Sequence, residues 1–194
     1  MSLKERVYSV LVVSASEKLN IGLAELFPHS KFEPVRTVGS AAAAKRLLAE
    51  RDFDFVIVNS PLPDEDGTRF AIDAVDRKNT MALMLVRAEQ YPEYFERAAS
   101  FGVFLLSKPV SRAAITLALD WLLSARERLR RTEKKLLSVE EKMDEIRLVN
   151  RAKWLLITEL KMTEPDAHRY IEKQAMDLCV PKRRIAEIII KTYS

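Results

Sequence analysis

DFVIVNSPLPDEDG, Asp54 to Gly67, is the stretch that decides how this chain folds. A strand is expected at Phe53–Asn59, where FVIV, Phe55–Val58, is apolar on successive positions, as in a strand whose two faces are both covered by helices. Beyond it comes a loop carrying Asp64, Glu65 and Asp66, and then an amphipathic segment, Thr68–Asp76. The same alternation continues on either side. Strands are expected at Val7–Val13, Phe32–Thr37, Met81–Arg87 and Val103–Ser107. Helices are expected at Glu17–Phe27, Ala41–Arg51 and Glu93–Ser100, with another from Ser111. Five strands alternating with helices predict an α/β doubly wound parallel sheet with its sites at the carboxyl ends of the strands.

Those carboxyl ends carry a resemblance. VLVVSAS at Val10–Ser16, the Asp54–Gly67 stretch and LLSKPVS at Leu105–Ser111 resemble the landmarks of a response-regulator receiver, a flavodoxin-like (βα)5 domain, over roughly residues 6–125. The resemblance implies two acidic residues after the first strand to hold Mg²⁺ and a phosphoacceptor aspartate after the third. Ser14 and Ala15 stand where the acidic pair belongs, Asn59 replaces the aspartate, and Arg87 replaces the Thr/Ser after the fourth strand. Only Lys108-Pro109 keeps the pattern. A hard cation wants carboxylate oxygens, which these residues do not supply. An amide is also a poorer nucleophile than a carboxylate, so a receiver unable to accept phosphate is expected. Two residues keep two readings each. Lys108 either awaits phosphoryl oxygens or locks the pocket by bonding Asn59 and backbone carbonyls. Arg87 either fills the place of the metal charge or points into solvent.

After Ser111 there is no glycine and no proline until Pro165. Leu122, Leu129, Leu136 and Met143 recur every seven residues, with Ala125, Thr132, Val139 and Ile146 three after each. This 3-4 spacing predicts a coiled coil. A helix of about 45 residues would run roughly 65 Å, far more than a receiver can cover. A parallel homodimer with a seam at Leu122, Leu129, Leu136, Val139, Met143 and Ile146 is therefore expected over packing onto the chain's own domain. The next core positions are Asn150 and Lys153, where the apolar register ends or changes phase.

The last segment, Arg151–Tyr193, parses into three helices. The first carries Ala152, Leu155, Leu156 and Leu160; the second opens at Thr163 with Pro165 in its first turn and Asp166 three places on, a capping-box-like start. The third opens at Pro181 and carries Ile185, Ala186, Ile188 and Ile189. Ala152-Lys153, Ala167, Ala175-Met176-Asp177 and Ile185-Ala186-Glu187 resemble the ANTAR domain, a small three-helix RNA-binding module of bacterial antitermination regulators. That family usually has glycine where this chain has Trp154. The expected organisation is a receiver at 1–118, a coil at 119–149 and an ANTAR-like bundle at 150–194. Lys153, Arg169, Lys182, Arg183 and Arg184 are the residues expected to meet RNA phosphates, the last three beside the positive end of the third helix. Trp154 reads either as core or as a platform for bases.

Composition sets bounds. The 194 residues carry net charge +4, with 18 Lys/Arg against 13 Asp/Glu from Arg112 onward, which permits nucleic-acid binding without demanding it. Cys179 is the sole cysteine, MSLKERVYSV shows no signal-peptide core, and no apolar run approaches the ~20 residues of a membrane span. A cytoplasmic protein is expected. No metal cluster and no nucleophile with a base stand out, and His29 and His168 are the only histidines. An enzyme is therefore not expected, and no cofactor is assigned. The resemblance implies a two-component-type transcription regulator whose dimer binds stem-loops in nascent RNA and prevents a terminator from forming, with control from another source such as a regulatory protein. The rival readings are a tail that binds a protein, and a DNA-binding tail, which would need a recognition helix with more polar surface than the third helix offers.

Overall fold

The computed structural model describes residues 6–77 and 80–193. The expectation drawn from the extreme N-terminus lies largely outside them. Five strands, β1 (Tyr8–Val13), β2 (Phe32–Val38), β3 (Phe55–Asn59), β4 (Met81–Arg87) and β5 (Phe104–Lys108), form one parallel sheet in the order β2-β1-β3-β4-β5. Between them run α1 (Glu17–Ala24), α2 (Ala41–Glu50), α3 (Thr68–Val75) and α4 (Tyr91–Ala98). This is the doubly wound sheet that the sequence predicts.

Strand residues alternate between two apolar layers, as the two-residue period of a pleated strand requires. Leu11, Val13, Val56, Val58, Met84 and Val86 pack under α2, α3 and α4. Val10, Val12, Phe55, Ile57, Leu83 and Leu85 face the other way, with Leu23 of α1 and Leu119 and Leu122 of α5 (Arg112–Leu160). Helix starts are capped by hydroxyls: Ser16 Oγ accepts from Leu19 N at 3.4 Å and Ser40 Oγ from Ala43 N at 3.3 Å. Gly67 starts α3 at φ +84°, and a Cβ there would meet Val58 Cγ1 at 2.8 Å. Glycine is required at that turn.

Several boundaries differ from the sequence reading by one to three residues, and two of them have a local cause. α1 ends at Ala24 and not Phe27, because Leu26 and Phe27 bond back to Leu23 and Ala24 and tighten the turn. α4 begins earlier than Glu93, at Tyr91, after a short 3-10 turn at Ala88–Gln90.

α5 is one continuous helix of 49 residues, and it corrects two expectations. Leu122, expected in a dimer seam, is fully buried in its own receiver, because the first turns of α5 lie on the sheet. The receiver also extends past residue 118. Arg126 Nη2 bonds Asp54 Oδ1 at 3.2 Å, and Glu127 accepts from the Tyr8 hydroxyl at 3.0 Å and pairs with Arg6. The chain accordingly divides into one compact unit up to Arg130 and another from Arg131. Leu129, Leu136, Val139, Met143 and Ile146 lie between 40% and 59% exposed.

In the second unit, the end of α5, α6 (Glu164–Asp177) and α7 (Lys182–Tyr193) form a bundle. Its core is Ala152, Leu156, Ala167, Ile171, Ala175, Ile185, Ala186 and Ile189. Four alanines among eight core residues let the helices approach closely. The predicted start of α6 is present: Thr163 Oγ1 accepts from Asp166 N at 3.3 Å and donates to Asp166 Oδ2 at 2.6 Å. Leu160 and Ile188 are 43% and 46% exposed and lie outside the expected core. Leu160 is the last helical residue, and Ile188 sits about 110° around α7 from the centre of the arc shared by Ile185, Ala186 and Ile189.

Candidate phosphoacceptor pocket and nucleic-acid interface

Ser14, Asn59 and Lys108 converge at the carboxyl ends of β1, β3 and β5. Lys108 Nζ donates to Asn59 Oδ1 at 3.1 Å and also to the Ser60 carbonyl. Asn59 Nδ2 donates in turn to Ser14 Oγ at 3.2 Å, which also accepts from Ser16 N at 3.2 Å. The pocket is thus a closed chain of hydrogen bonds, the second of the two readings of Lys108. Burial of the ammonium, and then the charge of Arg87 on the adjoining strand, lower the Lys108 pKa. Arg87 itself is exposed, and Ala15 contributes no polar side chain to the pocket. The donor set does not fit Mg²⁺: Asn59 Oδ1 already accepts from an ammonium, and neither Ser14 nor Ala15 brings a carboxylate.

The three nearby acids are committed elsewhere. Asp64 caps α2, accepting from Ala41 N at 3.0 Å and Ala42 N at 2.9 Å. Those bonds hold its carboxyl below the usual carboxylate range, Ala42 contributing most. Glu65 pairs with Lys45 at 2.9 Å and Asp66 with Arg97 at 3.0 Å. Sequence reasoning missed two residues at this end, Ser60 and Tyr94. Ser60 Oγ donates to Asp66 O at 2.7 Å and lies 3.3 Å from the Tyr94 hydroxyl. No motif marks either one; only the fold brings them together.

In the bundle, the expected RNA-facing cations fall into distinct environments. Lys153 and Lys182 line a recess of about 290 Å³ together with His168 and Asn150. Both lysines are paired, Lys153 with Glu164 at 2.7 Å and Lys182 with Glu172 at 2.5 Å, and His168 Nε2 lies 3.3 Å from the same Glu172. These bonds lower the pKa of Glu164 and of Glu172. Arg183 and Arg184 both meet Glu187, at 3.2 and 3.3 Å. Arg169 is exposed and has no acidic partner among the described residues. Trp154 is 68% exposed, so its reading as core is overturned. Its neighbours Ala152 and Leu156 take the inward face instead.

A response regulator receiver domain model matches residues 10–120, more than half of the chain. The chain belongs to the response-regulator receiver family. This receiver is joined to an ANTAR domain, matched over residues 138–190. Across 184 residues the chain is 29% identical to the transcriptional regulatory protein PdtaR of Mycobacterium tuberculosis, covering 94% of this chain and 89% of that one. Two solved structures are similar in fold. The signal receiver domain of an HD domain-containing protein from Pseudomonas fluorescens Pf-5 is 24% identical with TM-score 0.58, covering 68% of this chain and 96% of that chain. The receiver domain protein from Methanospirillum hungatei JF-1 is 17% identical with TM-score 0.57, covering 63% and 98%. The architecture is that of an antitermination-type response regulator. Among the described residues no helix is long and apolar enough to cross a membrane.

Proposed function

We propose that this response regulator works as an RNA-binding antiterminator whose receiver does not accept phosphate. Its ANTAR bundles, paired through α5, bind stem-loops in nascent RNA and prevent formation of a terminator. The observation that carries the reading is the order of parts along one helix: a receiver closed by Lys108–Asn59–Ser14 leads into a bundle that the ANTAR model matches. The seam begins at Leu129, since Leu122 is spent on the receiver core. Two bundles on one dimer engage two hairpins, and the second hairpin binds at a raised effective concentration. With phosphate excluded, control comes from a partner protein, a small molecule or expression level.

Gel-shift binding to an RNA with paired hairpins, compared with scrambled loops and with duplex DNA, tests this function. Loop-dependent binding near physiological salt is expected; equal binding to duplex DNA would favour a DNA-binding tail. The receiver half has its own test. Incubated with a phosphodonor and Mg²⁺, wild type and Asn59→Asp should both stay free of a hydroxylamine-labile acyl phosphate, because Ser14 and Ala15 hold no metal. An adduct on either protein contradicts the reading.

A further inference from the structure

α5 leaves an apolar stripe uncovered in the second unit. Leu136, Val139, Met143 and Ile146 are each at least half exposed, and the heptad reading runs out at Asn150. Trp154, also exposed, lies eleven residues after Met143. Eleven residues are about three helical turns, so Trp154 returns to within ~20° of Met143 around the helix. The bundle core residues Ala152 and Leu156 fall roughly opposite, about 160° away on either side. The bundle therefore turns this indole outward, in line with the stripe. A step of four in place of three after Asn150, a stutter, carries the seam from Ile146 through Asn150 to Trp154.

We infer that the seam of the dimer continues past Asn150, and that Trp154 packs against Trp154 of a second copy, clamping the two ANTAR bundles at a fixed spacing. This rests on the coil dimer proposed above. Two features select a second, parallel copy as the occupant. Asn150 holds a core position, exposed and with no side-chain hydrogen-bond partner among the described residues. A single core asparagine of this kind fixes register and favours two strands by bonding its own copy. The flanking charges agree. In a parallel, in-register pair Lys135 meets Glu140 and Arg128 meets Glu133, five residues on. Lys142 meets Arg147, whose charge Asp144 offsets at 3.3 Å. An antiparallel pair would instead set the basic row Arg128, Lys135 and Lys142 against itself. In a paired bundle an indole on this outer face, 68% exposed in the single chain, holds both RNA sites in step.

Disulfide trapping in the full chain on a Cys179→Ser background tests the clamp. Met143→Cys probes the coil, Trp154→Cys the extension, and Met176→Cys, an exposed position on α6, gives the rate of chance collision. Met143→Cys and Trp154→Cys should both form covalent dimers at least about tenfold faster than Met176→Cys. If Met143→Cys cross-links while Trp154→Cys matches Met176→Cys, the clamp is overturned and the dimer stands. If neither exceeds Met176→Cys, the dimer reading fails and takes the clamp with it. Fluorescence gives a second readout in Trp121→Phe, where Trp154 is the only indole. Emission should be blue-shifted in the dimer and move to the red when Leu136→Lys separates the chains. Quenching by hairpin RNA in that separated form would assign the indole to RNA and overturn the clamp.

Discussion

Charge pairing decides what single residues of this molecule can do. Lys153, Lys182, Arg183 and Arg184 each sit on a glutamate, while Arg169 does not. A cation that must leave a carboxylate to meet a phosphate gains less than one that is free. Arg169→Ala should therefore weaken RNA binding most among the five and reduce the salt slope by about one. Glu172→Gln, which releases Lys182 and His168 from a shared carboxylate, should strengthen binding. Anisotropy titrations at several salt concentrations read both effects, and unchanged affinity in Glu172→Gln would sink the argument from pairing. Asp64 gives a residue-level prediction for stability. Its carboxyl is held low by the amides of α2, so its contribution is present above the ordinary carboxylate pKa of about 4 and is lost as pH falls through the lower folded value. The melting temperature of Asp64→Ala should trail wild type at neutral pH and converge with it in acid. A gap independent of pH would contradict this.

At the scale of elements, the two turns of the bundle share one device. Lys161 and Cys179 have positive φ, 54° and 52°, just past the ends of α5 and α6. Val180 N bonds Ala175 O at 3.0 Å across the second turn, the six-to-one bond of a Schellman end that glycine usually closes. Cys179→Gly should stabilise the bundle by about 1 kcal/mol, or roughly 5 °C in its melting temperature; a loss of stability would show that the left-handed turn carries no strain. The helix starts at Thr163 and Pro181 placed both turns, but their left-handed conformation was not legible in the sequence, because neither Lys161 nor Cys179 advertises it. The strands were legible, since the unbroken apolar runs Val10–Val13 and Phe55–Val58 serve both faces of the sheet. The heptad at Leu122 misled for a definite reason: spacing reports that a helix face is apolar, not what covers it. Here the sheet covers Leu122, and Leu129 onward is left open. Trp154 failed in the opposite direction. A large aromatic side chain reads as core, yet the inward arc was already filled by Ala152 and Leu156.

At the scale of the whole molecule, the receiver contributes a closed pocket and the first turns of α5, and the tail contributes the surface proposed to meet RNA. The strand ends are readable as chemistry from residue identity alone, because Ser14, Ala15 and Asn59 lack the carboxylates a metal needs. The hydrogen-bond chain through Lys108 is readable only as one of two outcomes, and the fold selects it. On the proposed function the protein regulates by binding, and bivalency is the property that separates a paired grip from a single bundle. Fluorescence anisotropy with RNA carrying two hairpins, against the same RNA with one, tests that claim most directly. The two-hairpin RNA should bind about 10²-fold or more tighter, with the gain lost in Leu136→Lys and both affinities dependent on loop sequence. Equal affinity for one and two hairpins, or binding indifferent to the loops, would contradict the account.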